Sequence, residues 1–188
     1  MCWICDHPEA THEDYLNHLR ATIDDFGWAV HGVERDKIHP PWAYTAGLTA
    51  YGRPELVVTG MPVRRAGRLL NDVAAHVLHA EPPRPGEQVR LIGGPLIEIV
   101  KVAEPSAHLV TAVGLYGPQI RALQVVHADD AGQWPWDRGY RGVRGGQPVL
   151  GPRRPADRGP DAIGLRASGG RRPRGGGRHG RLTGQGQG

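Results

Sequence analysis

Residues 42–59, WAYTAGLTAYGRPELVVT, hold two runs of strand-forming residues, 42–48 and Glu55–Thr59, on either side of the turn-rich Thr49-Ala-Tyr-Gly-Arg-Pro54. A connection of about a dozen residues or more is needed to cross between parallel strands. The link here is far shorter, so the two runs read as an antiparallel hairpin. A hairpin in the middle of a chain with helical patterns on both sides points to an α+β domain.

Working outward, residues 28–34 (WAVHGVE) read as a further strand, weakened by Gly32, and 36–41 as a polar loop closed by proline. Upstream, Thr11-His-Glu-Asp14 has the pattern of a capping box, with Asp14 in the place that Glu or Gln usually takes. Tyr15, Leu16, Leu19, Ile23 and Phe26 follow on one helical stripe and Gly27 is the expected stop, which predicts a helix over 11–26. Downstream, Pro62 suits a first helical turn. Val63, Ala66, Leu69, Leu70, Val73, Ala74, Val77 and Leu78 then mark a helix over 63–79. Strands are expected at 89–92, 96–102 and 122–128, with a short third helix within 105–115. The sum is an antiparallel or mixed sheet of five to six strands, with two to three helices packed on one face.

The pattern stops at Gly151. Residues 1–150 contain 14 Lys and Arg against 17 Asp and Glu, a net of −3, whereas 151–188 contain 9 Arg and 2 Asp, a net of +7. The overall charge of +4 therefore belongs to the tail. Of the tail's 38 residues, 28 are Gly, Arg, Pro or Ala, too little apolar surface to offset the entropy of ordering. The domain is thus expected to span 1–150 and the tail 151–188 to be disordered. Out-of-frame translation of a GC-rich gene would produce such a tail as readily as selection. Its arginines could touch nucleic acid nonspecifically, but it lacks the interleaved aromatics of single-strand binders. No apolar run reaches the length of a membrane span. The opening Met1-Cys-Trp-Ile-Cys-Asp6 has no basic or long apolar region, so no secretory signal is read and a cytoplasmic address is expected.

Four blocks together resemble the uncharacterised domain of unknown function 4262 family. They are Met1-Cys-Trp-Ile-Cys-Asp-His7, His39-Pro-Pro-Trp-Ala-Tyr-Thr-Ala-Gly-Leu48, Gly52-Arg-Pro-Glu-Leu-Val-Val-Thr-Gly60 and the late stretch from Leu123 to Trp136. The resemblance runs from the N-terminus to about residue 150, and the tail departs from it. It implies a small bacterial-type domain and supplies no activity.

Three groups of residues could bear chemistry. Cys2-x-x-Cys5 with His7 has the spacing of a zinc knuckle, with one further ligand still to come from the fold; redox-active or merely unremarkable thiols are the other readings. Around the hairpin, Tyr44, Thr45, Arg53 and Glu55 could bind a ligand, with Arg53 clamping a carboxylate or phosphate; a turn of solvated or mutually paired charges is the alternative. His127 and Asp129, ahead of Trp134 and Trp136, could form an acid–base or metal pair; the alternative is that Asp129-Asp130-Ala-Gly132 is an ordinary β-turn and the Trp residues pack as a lid on the sheet. His76 and His79 are three apart on one helix. No P-loop, dinucleotide fingerprint or Gly-x-Ser-x-Gly occurs.

Two functions follow. One is a non-catalytic module that binds a protein or small ligand through the surfaces 42–55 and 127–136, including Trp134 and Trp136. The other is a small zinc-dependent enzyme, a hydrolase, using Cys2, Cys5 and His7 with His127 or Asp129. The absence of a complete ligand set and of a nucleophile–base pair favours the first.

Overall fold

The computed structural model describes residues 7–143 and 146–153. Cys2, Cys5 and the arginine-rich stretch from residue 154 lie outside the described residues. The elements are α1 (His12–Phe26), β1 (Ala29–Val33), β2 (Trp42–Ala46), β3 (Glu55–Thr59), α2 (Val63–His79), β4 (Gln88–Arg90), β5 (Leu96–Lys101), α3 (Pro105–His108), α4 (Val110–Tyr116) and β6 (Ala122–His127). The capping box forms as read. Asp14 N–H donates to Thr11 Oγ1 at 3.2 Å, and Thr11 N–H donates back to Asp14 Oδ2 at 2.9 Å. Gly27 closes α1 in the left-handed conformation. The third helix is two short ones, α3 and α4, because Leu109 between them leaves helical geometry with ψ of 57°.

The strands form one mixed sheet in the order β1-β2-β3-β6-β5-β4. The hairpin pairs antiparallel, with Ala43 opposite Val58 and Tyr44 opposite Val57. β6 inserts between β3 and β5 and runs parallel to β3, the one parallel pair among the described strands. Both faces of the sheet are covered, whereas one face was expected. Leu56 and Val58 point to α2 and pack with Leu70, Val73 and Val77. Val57 points the other way, against Leu109 at the joint between α3 and α4 and Ala112 of α4. Such central strands read as continuous apolar runs, which carry no record of how many layers cover them. α1 rests on β1 and α4 through Tyr15, Leu19 and Ile23.

On the second face, strands β3, β6 and β5 carry buried polar side chains, Thr59, Gln124 and Glu98. A strap of chain, 146–153, satisfies them. Gln124 Nε2 donates to the Pro148 carbonyl at 2.7 Å, and its Oε1 accepts from Leu150 N–H at 2.7 Å. Gln147 bonds both backbone groups of His127, as a neighbouring strand would. Gly151 lies so close to β5 that a Cβ there would stand 1.9 Å from the Lys101 carbonyl oxygen. Arg153 then pairs with Glu98, which is 0 % exposed, at 2.9 Å, and lies over the Trp136 ring at 4.1 Å. Trp136 stacks in turn on Trp134, with centroids 5.3 Å apart.

Among the described residues the packed chain thus continues past 150, and Gly151 and Arg153, expected to belong to a disordered tail, rest on the domain. A chain ending at residue 150 is expected to be about 2 kcal/mol less stable than one ending at 153, because Glu98 loses its charged partner while staying buried. Urea denaturation of the two forms measures this, and coincident midpoints would show that the pair contributes nothing.

Candidate functional site

Of the residues around the hairpin, Thr45 and Glu55 come together, facing inward. Glu55 is 0 % exposed. Its Oε1 accepts from Gly47 N–H at 3.1 Å, Thr49 N–H at 2.9 Å and Thr49 Oγ1 at 2.7 Å, and its Oε2 accepts from Thr45 Oγ1 at 2.7 Å. Burial pushes the carboxyl above its ordinary value, against the pull of these hydrogen bonds. Thr45 Oγ1 itself accepts from Leu56 N–H at 2.8 Å. Tyr44 is buried, donating to Thr111 Oγ1 at 2.9 Å and accepting from Thr111 N–H at 3.1 Å. Its ring packs 5.0 Å from that of His31, whose Nδ1 is hydrogen-bonded to the Tyr15 hydroxyl. Arg53 is half-buried beside the turn, and its N–H bonds the Leu48 carbonyl at 3.1 Å.

At the end of β6, His127 and Asp129 part company. The imidazole is 9 % exposed, and its Nε2 is buried with no hydrogen-bond partner among the described residues. Burial holds its pKa below the ordinary value. Asp129 instead organises its own turn. Its Oδ1 accepts from Ala131 and Gln133 N–H groups at 2.9 and 2.8 Å, and its Oδ2 accepts from Arg141 N–H at 2.8 Å. These bonds draw its carboxyl below the ordinary value. Trp134 and Trp136 pack against the second face beneath the strap. His7 is exposed. Among the described residues, no group of three or more His, Cys, Asp or Glu stands close enough together to hold a metal ion.

Sequence reading missed a cleft of about 690 Å³ on the α2 side of the sheet. It opens where β3 and β6, the parallel pair, reach their carboxyl ends, the place where open sheets with parallel strands commonly bind ligands. One wall is α2, with Arg65, Arg68 and Asp72; the second is the turn between β4 and β5, beginning at Arg90. The third is the turn held by Asp129, which also presents Asp130. Met61, Leu69 and Leu91, all buried, supply apolar floor. Arg65 Nη2 stands 3.9 Å from Asp130 Oδ1 with both side chains exposed, a contact of little energetic weight. The signal was available in part, since Arg65 and Arg68 have the spacing of neighbours on one helical face. Arg90, on the opposing wall, is invisible to any local pattern.

Comparison with known proteins gives one match. A family model described as a domain of unknown function (DUF4262) matches residues 22–141, a span that contains every residue lining the cleft and leaves Met1–His7 and the strap outside. No curated protein and no solved structure matches the chain.

Two outcomes follow for the buried groups. Glu55→Ala is expected to cost about 3 kcal/mol or more, because four donors lose their acceptor; a loss below about 0.5 kcal/mol in chemical denaturation would refute the closing role of that carboxylate. His31 and His127 are both held below their ordinary value of 6.5 by burial. Groups so depressed contribute stability that is present above about pH 6.5 and lost as the pH falls toward their folded values. Between pH 7 and 5, the wild type should therefore lose stability more steeply than a His31→Gln/His127→Gln variant, and parallel slopes would contradict this.

Proposed function

The chain belongs to the domain of unknown function 4262 family, and we propose that it is a non-catalytic binding module whose ligand, a small molecule, sits in the cleft between α2, the β4–β5 turn and the turn 129–132. The observation that supports this reading is the cleft itself. Its size is within the range of about 300–1,000 Å³ typical of small-molecule sites, and it combines an apolar floor with a few charged groups on its walls. Its walls are also rigid. α2 is anchored by its buried stripe, and the turn 129–132 is held by three backbone hydrogen bonds to Asp129.

This places the ligand next to one of the two surfaces expected from sequence, 127–136, and away from the other. Around 42–55 the polar groups of Thr45 and Glu55 serve each other and the turn, and the Tyr44 hydroxyl serves Thr111, which leaves Arg53 as the residue of that group still available to a partner. The zinc-hydrolase alternative draws no support from the end of β6. The Asp129 oxygens are engaged by backbone donors, and the His127 Nε2 is enclosed by protein.

The test is amide NMR of the full chain against a fragment mixture of polar acids, amides and alcohols. Shifts are expected at residues 65–72, 90–96 and 129–132, and the bound compound should be recovered chemically unchanged. Shifts confined to 134–136 or to the hairpin turn would refute the assignment, and conversion of the compound would refute the non-catalytic part of it.

A further inference from the structure

Resting on the cleft as the ligand site, we propose that its ligand carries an oxyanion, a phosphate ester or a carboxylate, held between Arg68 and Arg90, with Arg65 as a third donor released from Asp130. The argument is one of unanswered charge. Arg68 extends from α2 on the same face as Arg65, and Arg90 closes β4 on the opposing wall. Among the described residues, neither Arg68 nor Arg90 has a carboxylate within ion-pair distance.

Three carboxylates line the same cleft, and none neutralises this pair. Asp129 turns both oxygens to the backbone N–H groups of its own loop. Asp130 is fully exposed and stands at 3.9 Å from Arg65, a separation easily given up. Asp72 is one helical turn beyond Arg68 without pairing to it, and burial pushes its carboxyl above the ordinary value.

A guanidinium presents parallel N–H donors that match the paired oxygens of carboxylate and phosphate. A concave wall over a low-dielectric floor strengthens the pull of such a pair on an anion. The cleft far exceeds the volume of a bare phosphate ion, so the oxyanion is one end of a larger molecule. Ile92, an exposed apolar side chain on the rim, is placed to cover the remainder.

The experiment titrates the full chain with glycerol phosphate, with succinate and with glycerol, at matched ionic strength. Site-resolved amide NMR separates the cleft from the arginines of residues 154–188. Saturable shifts at 65–72 and 90–96 are expected with at least one of the two anions, and the tighter of the two identifies a phosphate ester or a carboxylate as the natural group. Arg68→Gln and Arg90→Gln should each weaken that binding about tenfold or more. Arg64→Gln, on the same helix outside the cleft, should change it less than about twofold.

Equal losses from Arg64→Gln and Arg68→Gln would reduce the effect to general positive charge and overturn the inference. So would saturable binding of a neutral fragment in the cleft with no response to either anion, an outcome that leaves the binding-module reading intact. Failure of every probe to enter the cleft would overturn both.

Discussion

A carboxylate cut off from water must find its donors inside the protein, and Glu55 finds four, three in the turn that precedes it and one on β2. The hairpin β2–β3 is closed by residues 47–54 rather than by a tight two-residue turn, so its path needs a fixed point. Glu55 provides one. It gathers Gly47, Thr49 and Thr45 at the start of β3 and thereby sets the register that puts Ala43 beside Val58 and Tyr44 beside Val57. A slip of one residue would exchange the two faces of β2, and both faces are buried, so the wrong register has no tolerable core. The same turn presses on α1. A side chain at Gly47 would stand 2.7 Å from the Gly27 carbonyl oxygen and from the Trp28 Cα, and its φ of 136° is one that only glycine adopts readily. A sequence element that offered candidate ligand-binding residues is thus the joint at which hairpin, first helix and sheet meet.

That outcome shows which parts of the molecule a sequence makes legible. α1, α2 and β3 could be read to within a residue, because a capping box, an apolar stripe and a β-branched run are local physical signals. The membership of the hairpin followed from chain length alone. The parallel pairing of β6 with β3 did not, since some sixty residues separate them and no local feature of either strand encodes its neighbour. Nor was the strap legible. Gln124 and Gln147 have the composition of surface residues, and their buried role depends on segments that meet only in the folded state. Chemistry-bearing residues were the least legible of all. Tyr44, Thr45 and Glu55 have the same side chains whether they face a ligand or the core, and burial decides between the two. Trp134 and Trp136 likewise prove to be a stack under Arg153.

The two faces of the sheet are mechanically linked through β6. On the second face, Gln147 takes up both backbone groups of His127, and Gln124 ties the middle of the same strand to the strap. On the first face, the residues immediately after β6 form the turn that walls the cleft. The position of that wall therefore depends on contacts made through the thickness of the sheet, by residues that do not line the cleft.

For the proposed binding role this arrangement matters, because a site gains affinity when its donors are held in place before the ligand arrives. Arg68 is fixed at its root by a helix whose apolar side is fully packed, and Arg90 stands at the end of a strand paired to β5. Asp129 uses its charge to stiffen the opposing turn instead of neutralising the arginines. Only Arg65 has a partner to leave, and that partner is exposed and distant. The positions of these groups are thus set largely during folding, by the packed stripe of α2 and the hydrogen bonds to Asp129, with the strap bracing β6 from the opposite face. On the proposed reading, what remains for a ligand is to supply the negative charge that Arg68 and Arg90 lack.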